Sequence, residues 1–166
     1  MDQKNKDIPM LSVEIYEKLK AEFGDTIIEL NETPLSDPFI VVEAKALFEI
    51  CHTLRDEDDF LFDYMMSLSG TDNDEMLGVV YHLYSMTHNH KIVLKVFVPK
   101  EQPNVPTVER IWRSADWHER EAYDLIGINF EGHHNLIRIL LPYDWEGHPL
   151  RKDYTPPETY HGMQVS

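Results

Sequence analysis

Apolar residues recur along this chain with two periods, one typical of helices and one typical of strands. Residues 10–23 repeat an apolar residue every four positions and are followed by a glycine, which favours an amphipathic helix with a glycine stop. Residues 43–55 also place their apolar side chains on one face. A third helix is predicted over Ala115–Ile126, between Ser114 as its N-cap and Gly127 as its C′ glycine.

Extended segments rich in Val, Ile, Tyr, Phe and Met lie between these helices. Two short strands are predicted, over residues 26–30 and 39–42. Three longer strands are predicted over residues 60–68, 76–86 and 91–98, with short polar turns between them. Sequential strands joined by short turns form an antiparallel meander.

Prolines control the last part of the chain. The prolines after residue 141 are Pro142, Pro149, Pro156 and Pro157. They exclude a long helix there, because proline lacks the backbone donor and clashes with the preceding turn. We therefore predict an α+β fold, with helices packed on a mostly antiparallel sheet in a single domain over residues 10–150. Residues 1–9 are predicted to be frayed. Residues 151–166 are predicted to form an extended tail that docks on a partner.

Composition narrows the class of protein. The 166 residues suffice for one domain, and the net charge of −15 argues against binding to nucleic acid or anionic lipid. No apolar run approaches the ~20 residues that span a bilayer, and the N-terminus has no apolar signal core, so we expect neither a membrane span nor a signal or transit peptide. The single cysteine, Cys51, cannot ligate an iron–sulfur cluster or form an internal disulfide.

Charged and aromatic side chains are distributed unevenly. Eight of the nine lysines lie in residues 1–106, whereas five of the six arginines and all three tryptophans lie in residues 107–154. Arginine and tryptophan anchor fixed interfaces, while lysine is mostly solvated. The distribution indicates a solvated first part and a second part suited to contact with a partner.

Histidines are the candidate metal ligands. His118 and Glu119 begin a metalloprotease-like pattern, but position 122 is alanine, so the second imidazole is missing. His133 and His134 are adjacent, and adjacent side chains rarely converge on one metal. Spacing alone leaves open a zinc site formed by His118, His133, His148 and His161. With no glycine-rich nucleotide motif and no nucleophile motif, we expect no metal, no cofactor and no catalytic residue on this chain.

The third predicted helix carries a charged stripe. Asp116, Arg120 and Asp124 are four residues apart and share one face, and Glu119 and Glu121 flank the arginine. Two interpretations remain open. In the first, the helix presents a solvated charged face. In the second, carboxylates fix Arg120 against a partner.

Three blocks of this sequence resemble the 30 kDa, NuoC-type subunit of proton-pumping NADH:quinone oxidoreductase, respiratory complex I. The blocks are IWRSADW (111–117), EREAYDLIGINFEGH (119–133) and RILLPYDWEGHPLRKDY (138–154). Two positions depart from the family pattern, His134 where the family usually has proline and Ile137 where it usually has a basic residue. The resemblance places the interface and signature residues at Glu119, Arg120, Glu121, Asp124, His133, Arg138, Trp145, His148, Arg151, Asp153 and Tyr154.

The resemblance implies a peripheral-arm subunit without a redox centre of its own. It would pack against the hydrogenase-like subunit that helps to form the quinone pocket, near the iron–sulfur subunits. NADH, FMN, iron–sulfur clusters and quinone would be held by other subunits. The expected location is the cytoplasmic side of a bacterial inner membrane, with attachment through the complex.

Two other functions remain open at this point. The first is the equivalent subunit of a membrane-bound hydrogenase or of a ferredoxin- or coenzyme-driven quinone reductase, which share this module. The second, more remote, is a metal-dependent hydrolase that uses the histidines.

Overall fold

A five-stranded sheet forms the centre of the fold. The computed structural model describes residues 9–34 and 36–165, so residues 1–8 of the segment predicted to be frayed lie outside it. The strands, in sheet order β1-β2-β5-β4-β3, are Ile27–Asn31 (β1), Phe39–Val42 (β2), Lys91–Pro99 (β5), Met76–Tyr84 (β4) and Tyr64–Asp72 (β3). The β3-β4-β5 meander is antiparallel, as predicted. The parallel pairing of β2 with β5 is an addition that no local turn signal encodes.

Three α-helices pack on this sheet, and they confirm the predicted α+β class. They are Ser12–Phe23 (α1), Leu47–Asp56 (α2) and Ala115–Ile126 (α3), and α3 has the predicted bounds. The second helix begins later than predicted, after a short 3-10 turn over Ala44–Ala46. Glu43 stays extended because its backbone N–H donates to the carbonyl of Thr26, 2.9 Å away.

The strand predicted over residues 60–68 begins at Tyr64 instead. The backbone N–H of Phe62 donates to the carbonyl of Leu54, and that of Phe60 to Glu57, so these residues close the end of α2. Both phenylalanines are nevertheless buried. Their apolar character thus reflects burial and not a strand.

Close packing places α3 against the sheet. A Cβ atom on Gly70, in β3, would lie 3.2 Å from the Cβ of Ala122 and 3.1 Å from Cγ1 of Ile126. The absence of a side chain at Gly70 lets α3 approach the strand closely. Gly127 ends the helix in the left-handed region, with φ of 82°, as predicted.

The chain after α3 is largely irregular, as the prolines predicted. Asn104–Pro106 (β6) and Asn129–Glu131 (β7) form a short parallel pair, and Thr159–Tyr160 (β8) and Met163–Gln164 (β9) form a small hairpin in the predicted tail. Among residues 9–34 and 36–165, no helix has the length and apolar character needed to cross a membrane.

Candidate functional site

Asp124, near the end of α3, holds the start of the loop that runs over residues 137–150. The side chain is fully buried, and its Oδ2 accepts the backbone N–H groups of Ile139, Leu140 and Leu141 at 3.0, 2.8 and 2.9 Å. Its Oδ1 accepts from Nη1 of Arg138 at 2.8 Å. Burial raises the pKa of Asp124, but these hydrogen bonds outweigh it and hold the pKa below its usual range. The ionised carboxylate is thus the fixed centre of the loop.

Arg138 connects that centre to the far end of the loop. Besides Asp124, it binds two backbone carbonyls through Nη2, that of Trp145 at 2.8 Å and that of Gly147 at 2.9 Å. A guanidinium can make these bonds in one plane because its donors form a rigid fork. The side chain is 13% exposed, so the pair is largely shielded from water.

Two further signature residues bind the carbonyl end of α3. His148 donates from Nδ1 to the carbonyl of Asp124 at 3.0 Å, and Arg151 donates from Nε to the carbonyl of Ile126 at 2.8 Å. Burial, followed by the nearby charges of Arg138 and Arg151, lowers the pKa of His148, so the neutral imidazole is favoured. A Cβ on Gly127 would lie 2.5 Å from the His148 ring. The helix end and the loop therefore fit together only with glycine at that position.

Arg120 is held by backbone carbonyls, so the interpretation in which carboxylates fix it is wrong. Its Nε donates to the carbonyl of Ile137 at 3.1 Å and its Nη2 to that of Arg138 at 3.3 Å. Within the described part of the chain no carboxylate forms an ion pair with it, because Asp124 is bound by Arg138 and Glu119 points into the core. Arg120 thus positions the loop by binding the loop's backbone carbonyls.

Glu119 fastens α3 to the segment that precedes it. The side chain is fully buried, with Oε1 accepting the backbone N–H of Val108 at 2.8 Å and Oε2 accepting from the hydroxyl of Thr107. Burial, together with the carboxylates of Glu109 and Asp116, raises the pKa of Glu119 to about 8. The sequence did not indicate Thr107 or Val108, since nothing in their local pattern marks them as partners of a residue eleven or twelve positions away.

Four further signature residues are more exposed. Trp145 donates from Nε1 to the hydroxyl of Tyr154 at 3.1 Å, and both rings are half-buried. Glu121 and Asp153 are exposed. The backbone N–H of Lys152 donates to Asp72 at 3.0 Å. The beginning of the predicted tail is therefore hydrogen-bonded to the domain.

The histidines group differently from the set that spacing suggested. His133 Nε2 lies 3.3 Å from Oδ1 of Asp116 and 3.5 Å from Oε2 of Glu109, and His134 Nδ1 lies 2.6 Å from the same Glu109 oxygen. These four residues are the single group of three or more potential metal ligands within residues 9–34 and 36–165. His118, His148 and His161 lie outside it. Glu109 was not identified from the sequence.

Apolar side chains at the edge of this site are left uncovered. They lie on α3 and on the loop that Asp124 holds, and include Trp117 (68% exposed), Leu140 (63%), Tyr143 (93%) and Leu150 (60%). A groove of about 480 Å³ runs between Trp117 and His118 on the helix and Ile139 and Leu140 on the loop. Buried charges thus hold an apolar edge in a fixed shape.

The fold and the site define a class of protein: a small α+β module in which buried ionic contacts position a loop and its apolar edge. The family described as "Respiratory-chain NADH dehydrogenase, 30 Kd subunit" matches residues 40–160, and the chain belongs to this family. The resemblance found in the sequence is confirmed.

Two curated relatives illustrate the match, and both are named as the C-type subunit of NADH-quinone oxidoreductase. The protein from Chloroherpeton thalassium is 49% identical over 152 residues, which is 90% of this chain and 63% of the relative. The protein from Chlorobium phaeobacteroides is 40% identical over 153 residues, 90% of this chain and 92% of the relative. The chain thus spans less than two thirds of the first relative and nearly all of the second.

Solved structures share the fold. A trypsin-resistant fragment of Nqo5 superposes with a TM-score of 0.61 at 29% identity, covering 74% of this chain and 99% of the fragment. A chain of the membrane-bound sulfane sulfur reductase, an archaeal respiratory membrane complex, superposes with a TM-score of 0.67 at 21% identity, covering 86% of this chain and 85% of that one.

Proposed function

We propose that this chain is the non-redox, 30 kDa-type structural subunit in the peripheral arm of a membrane-bound NADH:quinone oxidoreductase. That enzyme couples electron transfer from NADH to quinone with proton translocation. The shared name of the curated relatives supports the assignment. In this proposal NADH, FMN, the iron–sulfur clusters and the quinone bind to other subunits, and this chain contributes no catalytic residue.

The observation that carries the proposal is the apolar edge beside α3. Trp117 and Leu140 are large and exposed, yet they lie on a helix and a loop that the Asp124–Arg138 pair fixes rigidly. A rigid apolar edge lowers the entropic cost of association, because few side chains must be ordered on binding. We assign this edge to the hydrogenase-like quinone-pocket subunit, with the iron–sulfur subunits as neighbours. The complex would attach the chain to the cytoplasmic face of a bacterial inner membrane.

A charge placed on this edge tests the assignment. Leu140→Asp should reduce the amount of assembled complex and its quinone-reductase activity in parallel, because an aspartate at the contact would have to be desolvated without a partner. The isolated chain should keep its thermal stability. Met86→Asp is a matched control, since Met86 is 64% exposed, follows β4 and does not line the groove. Normal assembly of the Leu140 variant would refute docking at this edge.

Arg120 tests the contribution of loop geometry. Arg120→Ala removes both hydrogen bonds to the loop carbonyls and should lower the content of assembled complex in membranes. Arg120→Lys should retain part of it, because a lysine cannot reproduce the planar fork that reaches two carbonyls. Activity should fall in step with assembly. A fully assembled enzyme without turnover would instead indicate a direct catalytic role.

The other functions considered from the sequence are not favoured. The likeness to the archaeal reductase concerns the fold alone, and the curated relatives carry the quinone oxidoreductase name. A pull-down of the native chain, with mass spectrometry of its companions, separates the cases. A partner subunit with the nickel-ligating cysteines of a hydrogenase would contradict the proposal.

A further inference from the structure

Four side chains of the types that bind zinc converge beside the first turn of α3. Glu109 precedes the helix, Asp116 lies in its first turn, and His133 and His134 lie in the loop that follows β7. One potential ligand atom from each lies within 4.8 Å of the others. Three separate segments of the chain therefore bring two imidazoles and two carboxylates to one point.

Two of the distances between these atoms match tetrahedral coordination. Zinc bonds of ~2.0–2.1 Å to nitrogen and oxygen place neighbouring ligands ~3.3–3.4 Å apart. The distances from His133 Nε2 to Asp116 and to Glu109 are 3.3 and 3.5 Å. His134 Nδ1 is nearer, at 2.6 Å from Glu109, because a proton now joins the two atoms. The His134 side chain is 62% exposed, so it can withdraw by the distance that a bound ion requires.

The surroundings hold the ligands in place. The His133 side chain is fully buried and that of Glu109 is 8% exposed. Glu109 Oε1 already accepts the backbone N–H of His134 at 2.8 Å, which orients the carboxylate and leaves Oε2 for an ion. The cluster borders a cavity of about 590 Å³, lined also by Arg110 and Arg113, which provides a route of entry.

Zinc would require His133 to give up both of its present hydrogen bonds. Its Nδ1 now accepts the backbone N–H of Asn135 at 3.0 Å, and its Nε2 donates to the backbone carbonyl of Asp116 at 3.2 Å, so the ring proton of the neutral form is on Nε2. Binding at Nε2 moves that proton to Nδ1 and displaces the Asn135 N–H. Asn135 is exposed, so water can replace the lost acceptor.

We propose that Glu109, Asp116, His133 and His134 bind one zinc ion that ties together the segment before α3, the helix and the loop after β7. The sequence indicated no metal because adjacent histidines rarely converge on one ion. Here they can converge because His133 offers Nε2 and His134 offers Nδ1. Two carboxylates balance the charge of the ion. Four protein ligands leave no open position, so the site is structural rather than catalytic. Two imidazoles disfavour Mg²⁺ and Ca²⁺, which prefer oxygen.

Zinc binding to the full 166-residue chain tests this proposal directly. After removal of metal with a chelator, titration with Zn²⁺ against a chromogenic competitor should give one ion per chain. A large excess of Mg²⁺ should not displace it, and Co²⁺ should give the visible absorption of a tetrahedral complex. Failure to bind one Zn²⁺ per chain would overturn the proposal.

Variants assign the binding to these residues. His134→Gln and Asp116→Asn should each weaken zinc binding by more than ~10-fold, because even the loss of a group that only supports a ligand costs ~10–100-fold. His52→Gln, at an exposed histidine of α2, is the control and should bind as the unchanged chain does. Circular dichroism of each metal-free variant verifies folding. Equal loss in the His52 variant, or none in the His134 variant, would overturn the proposal.

Discussion

At the residue scale, Asp124 is the buried charge on which the loop after α3 depends. Asp124→Ala leaves the Arg138 guanidinium without its carboxylate, and three backbone donors without their acceptor, in a poorly hydrated place. Loss of one partner of a buried ion pair costs ~3–5 kcal/mol, so we expect a decrease of that size in the free energy of unfolding, measured with urea.

An exposed aspartate provides the comparison. Asp153 lies in the same signature block but is exposed, so Asp153→Ala should change the free energy of unfolding by less than ~0.5 kcal/mol. Similar losses in the Asp124 and Asp153 variants would contradict the role assigned to burial and hydrogen bonding.

Tyr81 shows the opposite case, a buried polar group that lowers stability. The side chain is fully buried in β4, and its hydroxyl has no hydrogen-bond partner among the described residues. Desolvating a hydroxyl without a partner costs ~1–3 kcal/mol, so Tyr81→Phe should raise the free energy of unfolding by about 1 kcal/mol.

Tyr84→Phe is the matched control in the same strand. The Tyr84 hydroxyl donates to Asn89 at 3.0 Å in an exposed position, so its removal should be neutral or slightly destabilising. A loss of stability in the Tyr81 variant would mean that its hydroxyl is hydrogen-bonded after all.

At the element scale, His148 makes the junction of α3 and its loop sensitive to pH. Its pKa is lowered from 6.5 in the folded chain, so below pH 6.5 the unfolded chain binds a proton that the folded chain does not. The contribution of neutral His148 to the free energy of unfolding is therefore present in full above pH 6.5 and decreases as pH falls below that value. We expect the melting temperature of His148→Gln to fall less steeply than that of the unchanged chain in this acidic range.

The comparison with the variant isolates His148 from the other titrating groups. Both proteins should be measured from about pH 8 downward in the same buffers, and the two curves should converge as pH decreases below 6.5. Parallel curves throughout would show that the lowered pKa of His148 contributes nothing to folding.

At the scale of the whole molecule, the predicted tail contacts the rest of the chain but adds nothing to its hydrophobic cluster. Arg151 and Lys152 bind the domain, and Tyr160 and His161 bind Asp144 of the loop at exposed positions. The hydrophobic cluster of the described chain contains no residue after Leu136. Truncation after Tyr154 should therefore cost less than ~1 kcal/mol, which is at most ~2–4 °C in melting temperature for a chain of this size. Truncation after Leu150 should cost more. Equal losses would contradict this difference, and docking of residues 151–166 on a partner stays a prediction.

The sequence by itself determined the elements whose signals are local. The apolar periods in residues 10–23 and 43–55 predicted α1 and α2, and Gly127 indicated the end of α3. Short polar turns predicted the antiparallel meander. In each case the physical signal acts between residues a few positions apart, so it can be detected along the chain. The sequence motifs also identified the family.

Tertiary structure alone decided which charges meet. Arg120 and Asp124 are four residues apart on one helix, yet Arg120 binds loop carbonyls and Asp124 binds Arg138, fourteen residues away. Glu109 meets His134 across twenty-five residues. The partner of a buried carboxylate is the group that the fold places within hydrogen-bond distance. That placement depends on how the sheet, the helix and the loop pack together. The parallel pairing of β2 with β5 has the same origin, because a contact between distant segments leaves no periodic mark in the sequence.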